Sequence, residues 1–319
     1  TRRTAPDPSS DVAVAAMREA LVEMRASGTG LVGDISNSLA SVPVLREAGQ
    51  PAHVFHEILR FNLPDAAPMV ADARARVDAA TRSGDDVRVS LAPHAPYSVA
   101  PSLFRAIRAE VDARADLPTT VHLGESLEEV ELLRQGSGPW RQLLQDFGAW
   151  TDAWVPPGVS PVAYLESLGF LDARVLVVHG VQFDDADLAR LQALGATVAT
   201  CPRSNRYVGV GDPPIDRFYR SGVAVAFGTD SLASVDDLNL FSELASARRL
   251  APAVPASTLL ASATIVGARV LGFGGEFGTI EAGKRAALLA VAVPANVTDV
   301  EECLVSGVTP AAVRWLPAA

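Results

Sequence analysis

The stretch TTVHLGES, residues 119–126, contains the pattern that decides the fold: a short β-branched run ends in His122, and a turn follows. The pattern recurs in VLVVHGV at residues 175–181, where the run ends in His179, and in VAVAFGTDSLAS at residues 223–234, where it leads to Asp230. Short apolar runs bounded by turn residues are typical of strands buried on both faces. The polar residue after each run indicates that the strand ends share one functional edge.

Seven such runs alternate with segments of helical period, which predicts a parallel α/β architecture. The predicted strands are residues 30–35, 53–61, 87–92, 119–123, 174–179, 197–201 and 223–228. The predicted amphipathic helices, with apolar residues at spacings of three and four, are residues 12–26, 69–81, 101–113, 185–194 and 215–220. The alternation favours a TIM-type (β/α)8 barrel, whose active site is built at the carboxyl ends of its strands.

Both ends of the chain depart from a complete barrel. Residues 1–10 read as a linker followed directly by a helix, so the first of eight strands is missing and the seven runs would be strands two to eight. Residues 278–293, GTIEAGKRAALLAVAV, combine turn residues with an apolar run, and residues 300–315 continue this β-like character. We therefore expect a barrel over residues 1–274 and the C-terminal part of a small β-sandwich subdomain over residues 275–319.

Length and charge exclude several classes of protein. The 319 residues, 49% of them hydrophobic, can build a large core without disulfides, and the two cysteines show no zinc-finger spacing. With 37 acidic against 27 basic residues the formal charge is −10, so neither nucleic acid nor a membrane surface is an expected partner. No apolar stretch approaches the roughly 18 residues of a bilayer span, and no signal-type segment opens the chain. The sequence predicts a cytoplasmic protein that binds a small molecule, and it allows a homo-oligomer.

The histidines carry most of the chemical information. His94, in SLAPHAPYSV at residues 90–99, and His122 and His179 each close a predicted strand. A single strand-end histidine is most often structural, but three at one edge of a barrel predict a shared site. There His122 can ligate a metal while Glu125 points at the same pocket, although an H-x-x-E match also occurs by chance in many chains.

The apolar run before Asp230 would bring a carboxylate to the same mouth. There it can complete a coordination sphere of nitrogen and oxygen ligands and accept a proton from metal-bound water. The alternative is that Asp230 caps the following helix, because aspartate and serine are favoured N-caps. The order of His122, His179 and Asp230 along the chain is that of successive βα units whose loops converge.

In combination, the segments TTVHLGES, VLVVHGV, CPRSN, FGTDSLAS and FGTIEAGKRAALL resemble the amidohydrolase superfamily, in its deaminase and chlorohydrolase branch. The resemblance covers most of the chain, from barrel strand two to the return into the small β-sandwich. It implies one divalent metal ion, zinc or alternatively iron, with His122, His179 and Asp230 at the metal. It also implies that Glu125 shuttles protons, that His179 orients the metal-bound water and that Asp230 is ligand and base.

One family feature is absent. The family's first strand ends in a His-x-His pair that supplies two further ligands, and this chain has no such pair. The remaining histidines, His53 and His56, would face opposite sides of one strand because side chains alternate along it. We therefore expect the chain to lack an N-terminal portion rather than to have lost its metal. Strand four ends in His94 and not in a lysine that could be carboxylated, which resembles the one-metal branch.

Four further residues are candidates for contacts with a substrate. His94 and Tyr97 resemble the family's segment that hydrogen-bonds a substrate ring; alternatively they belong to a strand-to-helix turn stiffened by two prolines. Arg203 and Asn205 could donate to a substrate; alternatively Ser204 and Asn205 shape the loop.

Two other features are weaker candidates. One is the pair Glu57 and His56 on the predicted barrel strand three, which are more speculative candidates for the pocket. The tryptophans Trp140, Trp150 and Trp154 lie in a long excursion after residue 123, where they could form a lid over the site or anchor a surface helix.

These observations predict a metal-dependent hydrolase that replaces an amino group on a C=N carbon of a nitrogen heterocycle. The acidic balance and the scarcity of basic residues near the mouth favour a neutral ring over a highly phosphorylated nucleotide. The alternatives are a cyclic amide or imide hydrolase, a halo-heterocycle hydrolase and an inactive barrel that serves as a binding protein.

Overall fold

The computed structural model describes residues 7–114 and 116–317. Seven of its strands are β1 (Val32–Ser36), β2 (Ala52–Ile58), β3 (Val87–Pro93), β4 (Thr119–Leu123), β5 (Val175–His179), β6 (Thr197–Thr200) and β7 (Ala224–Phe227). Every predicted strand of the barrel is confirmed. The largest difference is at the end of β2, which was predicted to reach residue 61 and ends at Ile58, where the chain turns towards Pro64.

The strands form one parallel array in chain order. β1, β2 and β3 pair side by side, and so do β4, β5, β6 and β7. The two groups meet where the His122 N–H donates to the His94 carbonyl at 2.8 Å and the Thr119 hydroxyl donates to the Leu91 carbonyl at 2.8 Å. Within residues 7–114 and 116–317, no strand pairs with the outer edge of β1 or of β7. The described residues thus supply seven parallel strands in the order of a (β/α)8-type barrel, as predicted, and the numbering of these strands as two to eight stays a prediction.

Helices connect the strands and cover their outer faces. In chain order they are α1 (Asp11–Ala26), α2 (Ser41–Glu47), α3 (Ala67–Ala80), α4 (Pro101–Ala113), α5 (Leu127–Gln135), α6 (Pro139–Asp146), α7 (Pro161–Ser167), α8 (Asp185–Leu194), α9 (Pro202–Tyr207), α10 (Ile215–Ser221), α11 (Leu240–Leu250), α12 (Ala256–Ala261), α13 (Gly267–Val270) and α14 (Val300–Val305). A π-helical turn, Ser262–Val266, joins α12 to α13. Proline begins α4, α6, α7 and α9, where its missing N–H leaves no helical hydrogen bond unmade.

The strands alternate between two apolar layers. In β5, Val175 and Val177 pack with the covering helices, whereas Leu176 and Val178 belong to an inner cluster. The other buried members of that inner cluster are Phe55, Ala92, Ala199, Cys201, Ala268, Leu271, Phe273 and Phe277. Because the barrel strands are apolar on both faces, they read in the sequence as continuous rather than alternating hydrophobic runs.

Ion pairs and hydrogen bonds of charged side chains hold the segment after α13, residues 271–285, against the barrel. The Arg88 guanidinium on β3 pairs with Glu276, donates to the Gly272 carbonyl and lies 3.7 Å from the centroid of the Phe273 ring. Arg285 pairs with Glu276 as well, at 2.7 Å. The ion pairs and the buried phenylalanine together fix residues 271–285 against the strands.

The C-terminal segment contains less β-structure than expected. β8 (Leu289–Val291) and β9 (Val313–Trp315) form a two-stranded antiparallel sheet, and the Trp315 Nε1 donates to the Arg25 carbonyl at the end of α1 at 2.7 Å. The expectation of β-structure over residues 300–315 is wrong for residues 300–305, which form α14, and is confirmed at β9. The Asp299 carboxylate caps α14 by accepting from the Glu302 N–H at 2.9 Å, and acidic residues in the first turn favour a helix start.

The division into two domains stays a prediction. Residues 1–6 and 318–319, the outer ends of the two predicted domains, lie outside the described residues. Among the residues that are described, no helix has both the length and the apolarity to cross a membrane.

Candidate active site

Three histidines form a row at the carboxyl ends of adjacent strands. The ring centroids of His94 and His122 are 5.0 Å apart, and those of His122 and His179 are 5.4 Å apart. Glu125 follows β4, and its Oε1 lies 3.7 Å from His179 Nε2. The structure therefore brings His94, His122, His179 and Glu125 together at one mouth of the barrel.

Asp230 lies beside this row, after β7. Its Oδ2 accepts from the Ser204 hydroxyl at 2.6 Å, and its Oδ1 accepts from the N–H of the next residue, Ser231, at 2.7 Å. The helix-capping alternative for Asp230 is wrong, because the N-cap of α11 is Asn239, whose Oδ1 accepts from the Phe241 N–H at 3.1 Å. The Asp230 carboxylate is thus held at the mouth by a residue of helix α9.

Glu57 is a member of the site that the sequence indicated only weakly. Its side chain on β2 is 7% exposed; Oε2 accepts from Asn37 Nδ2 at 2.9 Å, and Oε1 lies 3.3 Å from His122 Nδ1. Oε1 is buried and has no hydrogen-bond partner. The available signal in the sequence was a carboxylate within a predicted buried strand, since a buried charge needs a partner.

Glu57, His94 and His122 form the group best placed to hold a metal ion. One ligand atom from each lies within 4.8 Å of the other two, and within the described chain no further group of three such side chains meets this criterion. Of the predicted ligands His122, His179 and Asp230, only His122 belongs to the group. The metal-ligand roles of His179 and Asp230 stay predictions.

Ion pairing shifts the protonation of His122 and Glu57 in opposite directions. Burial works against the charged form of His122, but the Glu57 carboxylate and the His94 carbonyl outweigh it and raise the pKa of His122 above its ordinary value. Burial likewise works against the charged form of Glu57, but His122, His94 and Asn37 outweigh it and lower the pKa of Glu57. In the absence of a metal the two side chains therefore favour an imidazolium–carboxylate pair.

The flanking groups of the row favour their neutral forms. Burial and the charge of His122 lower the pKa of His94 to about 4 and that of His179 to about 4. Burial and the Asp230 carboxylate raise the pKa of Glu125, although His122 opposes them. A raised carboxyl pKa suits a group that must carry a proton to a substrate near neutral pH.

A second glutamate supports the turn that carries Glu125. The Glu129 carboxyl on α5 is completely buried and accepts from the N–H groups of Gly124 at 3.0 Å and Glu125 at 3.2 Å. Burial raises the pKa of Glu129 to about 8. Gly124 has φ +62°, and a Cβ there would lie 2.4 Å from the Phe183 ring, so the turn requires glycine. Glu129 was not among the residues predicted from the sequence, where its only signal was that a second glutamate follows Glu125 by four residues.

Two of the predicted substrate contacts lie on the mouth side of β3. His94 Nδ1 is 2.6 Å from the Ser98 hydroxyl, and its ring meets the Tyr97 ring edge-on at 5.5 Å. Tyr97 in turn stacks on Trp140 of α6, with centroids 4.0 Å apart and the planes 7° from parallel. An aromatic wall thus borders the histidine row, and the substrate roles of His94 and Tyr97 stay predictions.

The other two predicted substrate contacts are engaged inside the protein. The Arg203 guanidinium lies 2.7 Å from the Asp237 carboxylate and 3.6 Å from Glu243. Asn205 is completely buried, and its Oδ1 accepts from His179 Nδ1 at 2.9 Å. The Arg203 guanidinium and the Asn205 oxygen thus already have partners within the protein, and the substrate roles of both residues stay predictions.

The tryptophans after β4 have different surroundings. Trp150 and Trp154 pack against Phe61, with ring centroids 5.7 and 5.4 Å away, which agrees with the interpretation as anchors. Trp140 instead reaches the aromatic wall, and its Nε1 donates to the Ser126 hydroxyl at 3.5 Å. Only Trp140 of the three adjoins the histidine row through these contacts.

Comparison with known proteins identifies relatives across nearly the whole chain. A family model described as Amidohydrolase family matches residues 8–312. An aminodeoxyfutalosine deaminase from Deinococcus radiodurans is 35% identical over 255 residues, which are 77% of this chain and 60% of that protein. A 5-methylthioadenosine/S-adenosylhomocysteine deaminase from Syntrophobacter fumaroxidans is 33% identical over 255 residues, 77% of this chain and 53% of that protein. The chain thus spans 60% or less of the length of these two relatives.

Comparison with solved structures also identifies deaminases that superpose on most of the chain. An adenosine deaminase from Xanthomonas campestris with bound zinc superposes with a TM-score of 0.79 at 30% identity, over 94% of this chain and 67% of that one. An aminofutalosine deaminase from Helicobacter pylori superposes with a TM-score of 0.75 at 28% identity, over 86% of this chain and 68% of that one.

Proposed function

The chain belongs to the amidohydrolase family, and on that premise we propose that its barrel is the catalytic core of a metal-dependent hydrolase that removes an amino group from a neutral nitrogen heterocycle. The observation that carries the proposal is the row of His94, His122 and His179 with Glu125 beside it at the carboxyl ends of the strands. A proton donor with a raised pKa next to neutral imidazoles suits hydrolysis of a C–N bond.

The relatives narrow the proposed substrate class. The names of those reported above include adenosine, 5-methylthioadenosine and S-adenosylhomocysteine, which all carry an adenine ring and no phosphate. The two arginines nearest the mouth in sequence are already paired, Arg203 with Asp237 at 2.7 Å and Arg206 with Asp212 at 2.8 Å. Because both guanidinium groups already pair with aspartates, they are not available to bind a phosphate group. We propose a phosphate-free adenine nucleoside as the substrate.

The side chains present fit a divalent metal ion. Glu57 Oε1 is a buried carboxylate oxygen without a hydrogen-bond partner, and one carboxylate with two imidazoles is a donor set that catalytic zinc takes. A bound ion of this kind lowers the pKa of a coordinated water and so supplies a nucleophile at neutral pH. We propose His122 as a ligand, with Glu57 and His94 as the neighbouring donors, and zinc rather than iron as the metal. His179 and Asp230 stay predicted ligands.

The remaining chemistry is proton transfer by this chain's own residues. Water adds to the ring carbon that bears the amino group; Asp230 accepts one of its protons while Glu125 gives a proton to the adjacent ring nitrogen. The Glu125 carboxylate then takes the proton of the new hydroxyl and passes it to the amine, which leaves as ammonia. The proton held by Asp230 restores Glu125. His179, whose Nε2 faces Glu125, orients the attacking water.

Ammonia release from adenosine, 5-methylthioadenosine and S-adenosylhomocysteine by the zinc-supplied protein tests this function. We expect Glu125→Gln to retain its metal and to lose about a hundredfold or more in kcat, the usual scale for a general acid. The matched control is Glu128→Gln, an exposed carboxylate in the first turn of α5, which should turn over normally.

Two outcomes would overturn the proposal. Normal turnover by Glu125→Gln would contradict the proton-transfer role. The second outcome is that the protein releases no ammonia from aminated purines, pyrimidines, pterins or triazines but hydrolyses a hydantoin or a dihydropyrimidine. It would then be a cyclic amide hydrolase. The cytoplasmic location and the homo-oligomer stay predictions.

A further inference from the structure

Helix α9 contributes two consecutive buried side chains to the candidate site. Ser204 and Asn205 are both completely buried, although the helix lies just after β6 at the mouth of the barrel. Neither is one of the residues that carry protons in the proposed mechanism. Ser204, however, contacts Asp230, which accepts a proton there, and Asn205 contacts His179, which orients the attacking water.

The two side chains make short contacts with residues at the ends of two different strands. The Ser204 hydroxyl donates to Asp230 Oδ2 at 2.6 Å, and its oxygen lies 2.8 Å from the Ser234 hydroxyl. Asn205 Oδ1 lies 2.9 Å from His179 Nδ1, and Asn205 Nδ2 is buried without a hydrogen-bond partner. One short helix therefore links the residue that ends β5 to the residue that follows β7.

Both residues held by this pair have an uncommon backbone conformation. His179 has φ +78° and Asp230 has φ +63°, in the left-handed region that residues with a Cβ adopt only at a cost. Such a conformation persists only where surrounding contacts determine it. The bonds from Ser204 and Asn205 are in a position to do so, and at Asp230 the Thr229 hydroxyl contributes by donating to the Asp230 carbonyl at 3.0 Å.

Helix α9 is held in place by contacts with α11 and with Asp237. The completely buried Glu243 of α11 accepts from the Arg203 N–H at 3.1 Å through Oε2, and the Arg203 side chain pairs with Asp237. Asn205 is further held by its own N–H, which donates to the Cys201 carbonyl at 3.0 Å. A helix anchored in this way can keep two neighbouring side chains in register with two separate loops.

We propose that Ser204 and Asn205 form a positioning pair that holds Asp230 and His179 in their working orientations, and that Asn205 selects the tautomer of His179. An amide oxygen can only accept, so His179 must carry its proton on Nδ1. Its Nε2 is then a lone pair that faces the Glu125 side of the mouth, 3.7 Å from Oε1. The consequence for activity rests on the proposed function, whereas the tautomer does not.

Nitrogen-15 NMR of the labelled protein reads the tautomer directly. The chain has five histidines, so the imidazole signals are few, and a His179→Gln variant assigns the one of interest. We expect the Nδ1–H tautomer of His179 in the wild-type chain and in Asn205→Asp, which retains an acceptor oxygen. We expect a mixture of tautomers in Asn205→Ala. The matched control is Arg206→Ala, an exposed residue of the same helix, which should leave the spectrum unchanged.

Kinetics of the zinc-supplied protein supplies the second readout. We expect Ser204→Ala and Asn205→Ala each to lower kcat tenfold to a hundredfold, the range for residues that orient the groups of a metal site, with KM little changed. An Nε2–H tautomer in the wild-type chain, or an unaltered tautomer in a folded Asn205→Ala, would overturn the proposal. If no substrate is turned over at all, the proposed function fails while the NMR result still decides the role of Asn205.

Discussion

Within β2, His53 is a titratable side chain with no exposed surface. Its Nε2 lies 2.8 Å from the Ser90 hydroxyl, which itself donates to the Pro118 carbonyl at 2.6 Å, so the histidine donates to Ser90. Burial lowers the pKa of His53 to about 3. The unfolded chain therefore binds a proton between pH 6.5 and about pH 3 that the folded chain excludes. Stability from this residue is complete above pH 6.5 and is lost as the pH falls below it.

This difference predicts a pH dependence that one substitution reveals. We expect the free energy of unfolding of the wild-type chain to fall, relative to that of His53→Gln, by up to about 1.4 kcal/mol for each pH unit below 6.5. Glutamine retains a donor for Ser90 but does not titrate. Urea unfolding of both proteins at pH 7, 6 and 5 measures the effect. If the free energies of unfolding of the wild-type chain and of His53→Gln change equally with pH, His53 is not held neutral in the folded protein.

At the scale of elements, the segment after α13 closes the inner cluster of the barrel. Phe273 is 1% exposed, contacts Phe277 at a centroid distance of 6.0 Å and lies beneath the Arg88 guanidinium. We expect Phe273→Ala to lower the free energy of unfolding by about 3–5 kcal/mol, the cost of emptying a buried aromatic site. Ile280→Ala is the matched control: this side chain is 86% exposed, and the change should stay within about 0.5 kcal/mol.

Chemical unfolding monitored by circular dichroism compares the two variants. A loss of less than about 1 kcal/mol in Phe273→Ala would mean that the segment is dispensable for the barrel and that its ion pairs through Arg88 do not dock it. The present packing predicts the opposite, because the segment supplies three of the ten buried residues of the inner cluster, Leu271, Phe273 and Phe277.

At the scale of the whole molecule, metal binding should stabilise the fold. A ligand that binds only the folded protein adds about 2.7 kcal/mol at a hundred times its Kd, so zinc should raise the Tm and chelation should reverse the rise. We expect His122→Ala to abolish the shift and Glu57→Gln to weaken it. The control is His56→Gln, because His56 lies on the opposite face of β2 from Glu57 and bonds the Ser36 carbonyl.

Thermal shift and competition with a chromophoric chelator measure this binding without any assay of activity. An unchanged zinc affinity in His122→Ala would contradict its assignment as a ligand. An unchanged affinity in Glu57→Gln, with a loss in Asp230→Asn, would instead favour the ligand set predicted from the sequence.

Much of the barrel could be predicted from the sequence because its determinants are local. Parallel strands buried on both faces read as short apolar runs, so all seven were located, and the polar residues that end them marked the mouth. The family was recognised on segments of five to thirteen residues that include His122, His179 and Asp230. Prediction failed at residues 300–305, where apolar content suggested strand but the Asp299 cap and the acidic first turn favoured the helix α14.

What only the tertiary structure decided is which side chains touch. Glu57 reaches His122 because β2 and β4 flank β3 in the array, 65 residues apart along the chain and with no local pattern to connect them. In the sequence Arg203 and Asn205 are both candidate donors to a substrate, yet in the fold the Arg203 guanidinium pairs with Asp237 and the Asn205 oxygen accepts from His179. The sequence determined where the strands end, since that depends on nearby residues. The partners of each polar group depend on how separate loops pack together, and only the folded barrel sets that.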